Sequence, residues 1–341
     1  GSPAPFGRND AYVKYVDPDP NFDQSPQYLP VHQGPESIAP ERVRLDFLGA
    51  ESGRAQDLTL DSGFGPFGLS RLAYETGGLF FAVHPNRRTD RLIRRFETEE
   101  MATYIAAFFE PRLMRRYRPE YVNFAEYNRF VSQNRARAAL VQAARLSRTG
   151  TLEQVRLVFP KQDEADFAES LTRAQRTAAK LEPKVNQLVA TLRAGERDRP
   201  ELEKPRWRAG YDLAMGRSLA TKVRAEGYNS MLAQAKQGIK FRNERSDTWV
   251  LESSDSISTG SVLAKEAKLA TEYLERVVAE HDGTPWALLA EKELSTPFGW
   301  EWREEFRNLA ERIAQAQANR NRPRPTREAP PRPERRPAPN L

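Results

Sequence analysis

The chain has 341 residues, with 53 Lys and Arg against 47 Asp and Glu and a formal net charge of +6 at neutral pH. That length allows two or three domains, the 39% hydrophobic and 29% charged content and mean hydropathy of −0.73 suit a soluble protein with helical, charged surfaces and at least one segment that does not fold, and no apolar run is long enough to span a bilayer. It holds no Cys, which excludes disulfides, thiolate metal sites and a Cys nucleophile and leaves the compartment open.

The charge is unevenly placed. Residues 319–341 carry seven Arg and two Glu, which leaves 46 basic and 45 acidic residues for the remainder. The body is neutral, so the argument from net charge toward nucleic acid applies to the tail alone.

In chain order, the first forty positions hold eight Pro and turn clusters such as "DPDPNFDQSP", which predict a long irregular excursion over 1–60. A strand is predicted inside it at "RVRLDFLG", where Val43, Leu45 and Phe47 alternate with Arg44 and Asp46. Residues 66–76 read as a helix, Gly77 and Gly78 as its end, and 79–83 as a buried strand. A dinucleotide fingerprint needs its glycines after a strand and before a helix. Here the order is reversed, so Gly77 and Gly78 are read as structural, the first closing a helix with outward carbonyls that repel phosphate.

From about residue 98 the pattern is helical. Helices are predicted at 128–148, 165–194, 210–236, 262–280, 286–294 and 301–318. In 165–194, Phe167, Leu171, Ala174, Ala178, Leu181, Val185, Leu188 and Leu192 step by four and three. That seam is read as a helix of an antiparallel bundle rather than a free coiled coil, kinked or split at Pro183. "GIKFRNERSDTWVLES" predicts a β-hairpin near 238–252. The run 301–318 places Trp302, Phe306, Leu309 and Ile313 on one helical face, with Trp300 and Trp302 on opposite sides of the helix start. The final "NRNRPRPTREAPPRPERRPAPNL" has no apolar periodicity and predicts a disordered, polyproline-biased tail.

The stretch "LSRLAYETGGLFFAV" resembles the last helix and last strand of a von Willebrand factor A domain. The opening "GSPAPFGR" is similar to the exit from the preceding central strand in bacterial members. The resemblance implies an α/β Rossmannoid portion at 1–92, the C-terminal end of such a domain with a long Pro-rich insertion. It also implies a divalent, Mg-type adhesion site built from Asp-x-Ser-x-Ser. That motif is absent. After Asp23 and Ser25 comes Gln27, and after Asp255 comes Ile257, so both segments are read as turns and caps. The resemblance would put any metal site upstream of residue 1; no cofactor is assigned to this chain. It leans toward export for the full-length protein, with a cytoplasmic location also open, and the Gly-Ser start without a signal peptide is expected to be either an expression scar or the start of a fragment of a longer product.

Residues 273–294 resemble the inter-helix turn of tetratricopeptide-like repeats, with Trp286 between the two helices. One copy without a second at a regular period favours a simple helical hairpin. The expected organisation is therefore mainly α: the α/β portion at 1–92, a helical bundle at 93–260, a helical hairpin and terminal helix at 261–318, and the tail at 319–341. The three histidines, His32, His84 and His281, form no metal or catalytic spacing. The functional expectation is a non-enzymatic interaction, scaffold or adhesion-type module that binds other proteins. Its interaction candidates are Trp286, Trp300, Trp302, Arg332, Arg335 and Arg336. The alternatives are an enzyme with its active site in 1–60 or in a helical groove, and an adaptor for nucleic acid or an anionic surface acting through the tail.

Overall fold

Apolar residues at helical spacing dominate this chain, and in the computed structural model they assemble mainly helices around one long central helix. The structure describes residues 11–31, 41–43, 45, 60, 69, 72–73, 75–78, 107–120, 122, 124–147, 155–320 and 336. In chain order these give β1 (Ala11–Tyr15), β2 (Gln27–Val31), α1 (Pro111–Met114) running into a 3-10 turn at Arg115–Tyr117, α2 (Phe124–Ser132) and α3 (Arg135–Leu146). There follow β3 (Val158–Pro160), α4 (Glu164–Arg193), a 3-10 turn at Glu196–Glu201, and α5 (Pro205–Lys236). The last elements are β4 (Thr248–Ser254), α6 (Ser261–Glu280), α7 (Pro285–Leu294), β5 (Gly299–Glu305) and α8 (Leu309–Arg320).

Local chemistry sets the helix boundaries. Instead of one helix over 128–148, Asn134 leaves helical geometry at φ −137° and its side chain accepts from the Arg137 amide, opening α3 separately from α2. Asp163 caps α4 by accepting from the Asp166 amide at 2.7 Å. Thr284 caps α7, with Pro285 at the first helical position where a missing amide hydrogen costs nothing. All eight seam residues of α4 are buried, and the helix runs unbroken through Pro183, so the expected split does not occur. Pro183 and Ala179, whose carbonyl loses its donor, both lie on the exposed side of α4.

α5 occupies the centre. Of its 32 residues 23 are buried, and it contributes to every one of the described hydrophobic clusters. Trp207, Tyr211, Met215 and Leu219 meet α3 and the C-terminal half of α4, while Tyr228, Met231 and Leu232 meet its N-terminal half and the sheet. α6 crosses α5 closely at Gly216. A Cβ there would lie 2.7 Å from Leu274 Cγ, so the side-chain-free position is what allows the approach. α6 and α7 form the helical hairpin expected at 273–294.

The β-structure departs from expectation. Residues 238–252 form no hairpin: only Thr248–Ser254 is a strand, and it is the centre of an antiparallel sheet ordered β3-β4-β5. Ile239 and Phe241 pack beside the sheet, with Phe241 stacked on Trp249 at 4.8 Å. The amides of Arg242 and Asn243 donate to the Glu304 carboxylate rather than to a strand partner. The predicted helix over 301–318 is also corrected, because 299–305 is strand and a helix begins only at Leu309. Asn308 turns the chain at φ +51°, and the Asp247 carboxylate accepts from the Arg307 and Leu309 amides, anchoring the start of α8.

In the N-terminal stretch, β1 and β2 pair antiparallel from Ala11 opposite Val31 to Tyr15 opposite Gln27. The strand expected at "RVRLDFLG" is not formed at its described positions 42, 43 and 45, where Val43 and Leu45 instead join the helical core. Leu69, Leu72, Ala73 and Glu75 are helical. The Thr76 amide bonds to the Leu72 carbonyl at 3.1 Å, and Gly77 follows at φ +69°, a left-handed value that Gly alone adopts without a Cβ penalty. The strand expected over 79–83 lies outside the described residues, as does most of the α/β portion.

Candidate functional site: an arginine-lined cleft

One face of α5 presents Arg206, Gly210, Leu213, Ala214 and Arg217, steps of four, three, one and three that keep these residues on one side of the helix. Above this face lie Glu41, Arg42 and Val43, and at one end Trp286 of α7. Together they line a narrow cleft that opens to solvent, with a cavity volume of about 20 Å³. A Cβ at Gly210 would stand 3.2 Å from Leu140 Cδ2 and at an ordinary 3.6 Å from Trp286 Nε1.

The lining holds three arginines against one glutamate. Arg42, Arg206 and Arg217 are 5%, 4% and 8% exposed, and guanidinium groups at that depth persist only with compensating partners. Arg206 Nε donates to Glu41 at 2.7 Å, and its guanidinium lies 5.8 Å from the Trp286 ring centre. Arg217 Nε donates to Glu293 at 3.1 Å and its Nη2 reaches the Leu45 carbonyl at 3.4 Å. Burial pushes the Glu41 carboxyl above its ordinary range and nearby Glu120 adds to this, with Arg206 opposing both. Burial also works against ionisation of Glu293, but Arg224 and Arg217 together outweigh it and hold that carboxyl low. Arg224 is in addition bound to the carbonyls of Thr296 and Pro297, so this ion-pair node ties the end of α7 to the central helix.

Two other buried polar groupings lie nearby. Asp212, fully buried on α5, receives both nitrogens of the Arg199 fork, and Arg276 stands 3.7 Å away. His281, at the end of α6, places Nδ1 3.0 Å from the Tyr117 hydroxyl, and Tyr117 stacks on Trp286 at 5.2 Å. Among the described residues the carboxylate within ion-pair reach of His281 is Glu280, at 4.0 Å.

The residues singled out from sequence are dispersed. Trp286 and Trp300 are 3% and 4% exposed and pack in the core, Trp286 also bordering the cleft. Trp300 and Trp302, expected on opposite sides of a helix start, stand two apart on β5 and therefore share one strand face. Their indole nitrogens donate to the Arg224 and Met231 carbonyls of α5 at 2.9 and 3.4 Å, with Trp302 half-buried. Arg332 and Arg335 lie outside the described residues, as do His32 and His84. Arg336 is described, and it bonds to Asp17. Asp23 Oδ1 accepts from the Ser25 amide at 2.9 Å, a local turn, and Asp255 is exposed in the loop before α6. Gly77 and Gly78 lie far along the chain from the cleft, and a Cβ at Gly77 would meet nothing within 4 Å.

Sequence reasoning missed Glu41, Arg42, Arg206 and Arg217. The one available signal was the helical spacing of Arg206, Gly210 and Arg217 within an Ala- and Leu-rich run, a pattern that equally describes a solvated face. No family model matches the chain, and no curated protein or solved structure matches it either. No helix among the described residues is long and apolar enough to cross a membrane.

Proposed function

We propose that this chain is a non-enzymatic protein-interaction module that receives an acidic group of its partner in the arginine-lined cleft. The observation that carries this reading is the convergence of three nearly buried guanidinium groups on a cleft open to solvent, Arg206 held by Glu41 and Arg217 by Glu293. A planar guanidinium offers paired donors in a fixed fork that suits a carboxylate or phosphate oxygen pair. At low local dielectric such bonds are stronger than in water. The cleft is too narrow for a large cofactor, and a partner carboxylate would meet the guanidinium groups at its mouth. The neutral body and the resemblance of 69–83 to the end of a von Willebrand factor A domain favour the same class of role, with an adhesion-type scaffold as its finer form.

The test uses the full chain and simple anions as probes. Thermal unfolding is followed while glutarate or inorganic phosphate replaces chloride at constant ionic strength. A saturable rise in Tm is expected for the native chain and its loss is expected in Arg42→Gln and Arg217→Gln. Glutarate acting better than phosphate would identify an acidic side chain as the group received. An unsaturable drift, or a rise that both variants retain in full, overturns the reading.

A further inference from the structure

The turn between β1 and β2 is organised by its own carboxylates. Asp17 Oδ1 accepts from the Asp19 amide at 2.9 Å, and Asp19 Oδ1 accepts from the Asn21 amide at 3.0 Å, so successive Asx turns fix the loop. These bonds leave the remaining oxygens of both groups directed at a guanidinium from the far end of the chain. Arg336, 319 residues from Asp17, donates through Nε and Nη2 to Asp17 Oδ2 and Oδ1 at 3.0 and 2.7 Å. Its Nη2 also stands 3.5 Å from Asp19 Oδ2. The guanidinium carbon lies 3.8 Å above the Phe22 ring centre, and Gln27 Nε2 donates to the Arg336 backbone carbonyl at 2.9 Å.

Each contact recognises a different property. The two-bond fork to Asp17 requires planar paired donors, which a lysine lacks. The Phe22 face favours a flat cation. Gln27 takes up a main-chain carbonyl, a group that Pro-rich backbone leaves without internal partners. With Arg336 in place Asp17 is 2% exposed, whereas the Arg336 side chain keeps 45% exposure, so the carboxylate is covered while its occupant remains reachable from solvent. Arg336 holds the Asp17 carboxyl below its ordinary range, as a bound cation must.

We propose that the β1–β2 turn is a receptor for an arginine in a Pro-rich segment, and that the chain's own tail occupies it through Arg336. The sequence around that residue, "RPERRPAP", supplies the ligand. Because the tail is tethered, it competes at a high effective concentration, and an arginine-presenting segment of another chain enters only by displacing it.

The probe is a fluorescent peptide of residues 330–341, titrated into the full chain and followed by anisotropy. Binding to the Arg336→Ala chain is expected to be at least about tenfold tighter than to the native chain, whose site is already filled. Adding Asp17→Asn to Arg336→Ala is expected to remove that binding, and a peptide carrying Arg336→Lys is expected to bind at least about tenfold more weakly. Phe22→Leu and Gln27→Ala, which keep every carboxylate, must also weaken binding in the Arg336→Ala chain. This guards against a loss that reflects only collapse of the turn. Equal binding to native and Arg336→Ala chains, equal binding of the lysine peptide, or indifference to Asp17, Phe22 and Gln27 overturns the proposal.

Discussion

His281 illustrates what depth does to a titratable ring. It is 2% exposed, and burial lowers its pKa from 6.5 to about 4; Arg208, Arg199 and Arg116 push the same way against Glu280. Between those two values the unfolded chain binds a proton that the folded chain refuses, so stability rises with pH across the window. The contribution is fully present above about pH 6.5 and is lost as pH falls toward 4, amounting to at most about 3 kcal/mol. Urea unfolding at pH 7 and pH 4.5 should therefore show a loss on acidification that is about 2–3 kcal/mol smaller in His281→Leu than in the native chain. The variant also leaves the Tyr117 hydroxyl without its ring partner, but that cost does not change with pH. Identical losses in the two proteins would remove His281 from the account. At this scale little of the cleft was legible beforehand, since Arg206 and Arg217 read from sequence as charges on a solvated face. Their burial follows from Glu41 and Glu293, which lie 165 and 76 residues away.

Among the elements, α4 and β5 stand at opposite ends of legibility. The α4 seam steps regularly by three and four, and all eight of its residues are buried, because a helix with one apolar stripe has one face to bury. Its proline is what the seam alone leaves undecided. Proline inside a helix normally costs about 3 kcal/mol, and position 183 lies on the exposed side of the helix, where the lost bond costs less than in the core. Pro183→Ala should accordingly raise stability by about 1–3 kcal/mol, measured as a higher urea midpoint with an unchanged slope. A lower midpoint would mean that the proline relieves strain. β5 was misread because "WEWREEF" admits two periods, and Trp302, Phe306, Leu309 and Ile313 satisfied the helical one. The alternation of Trp300 and Trp302 with Glu301 and Arg303 was the strand signal. Pairing with β4 decided between them, placing Trp302 opposite Leu251 and Trp300 opposite Ser253 on the face toward α5.

For the molecule as a whole, the sharing of α5 among all clusters predicts cooperative behaviour. Leu219, fully buried in the cluster with α3 and α4, contributes nothing directly to the sheet cluster that holds Trp249 and Trp300. Leu219→Ala should nonetheless destabilise the chain by about 2–5 kcal/mol and lower one common transition. Far-UV circular dichroism and tryptophan fluorescence should report the same midpoint. Separation of the two curves would show that the clusters unfold independently and that α5 is not their common support. The same helix carries Asp212, Arg217 and Arg224, so the most deeply enclosed segment also holds buried charges. These ion pairs join α5 to the turn before it, to α6 and to α7.

What the sequence determined by itself was local: the predominance of helix, the α4 seam, the α6–α7 hairpin and the end of a helix at Gly77. Each rests on residues within a few turns of one another, where spacing and caps act directly. Which charges are buried, which strand pairs with which, and where Arg336 docks were decided only by tertiary structure. Those outcomes depend on partners tens to hundreds of residues away, and a carboxylate or an edge strand has no period that names its partner.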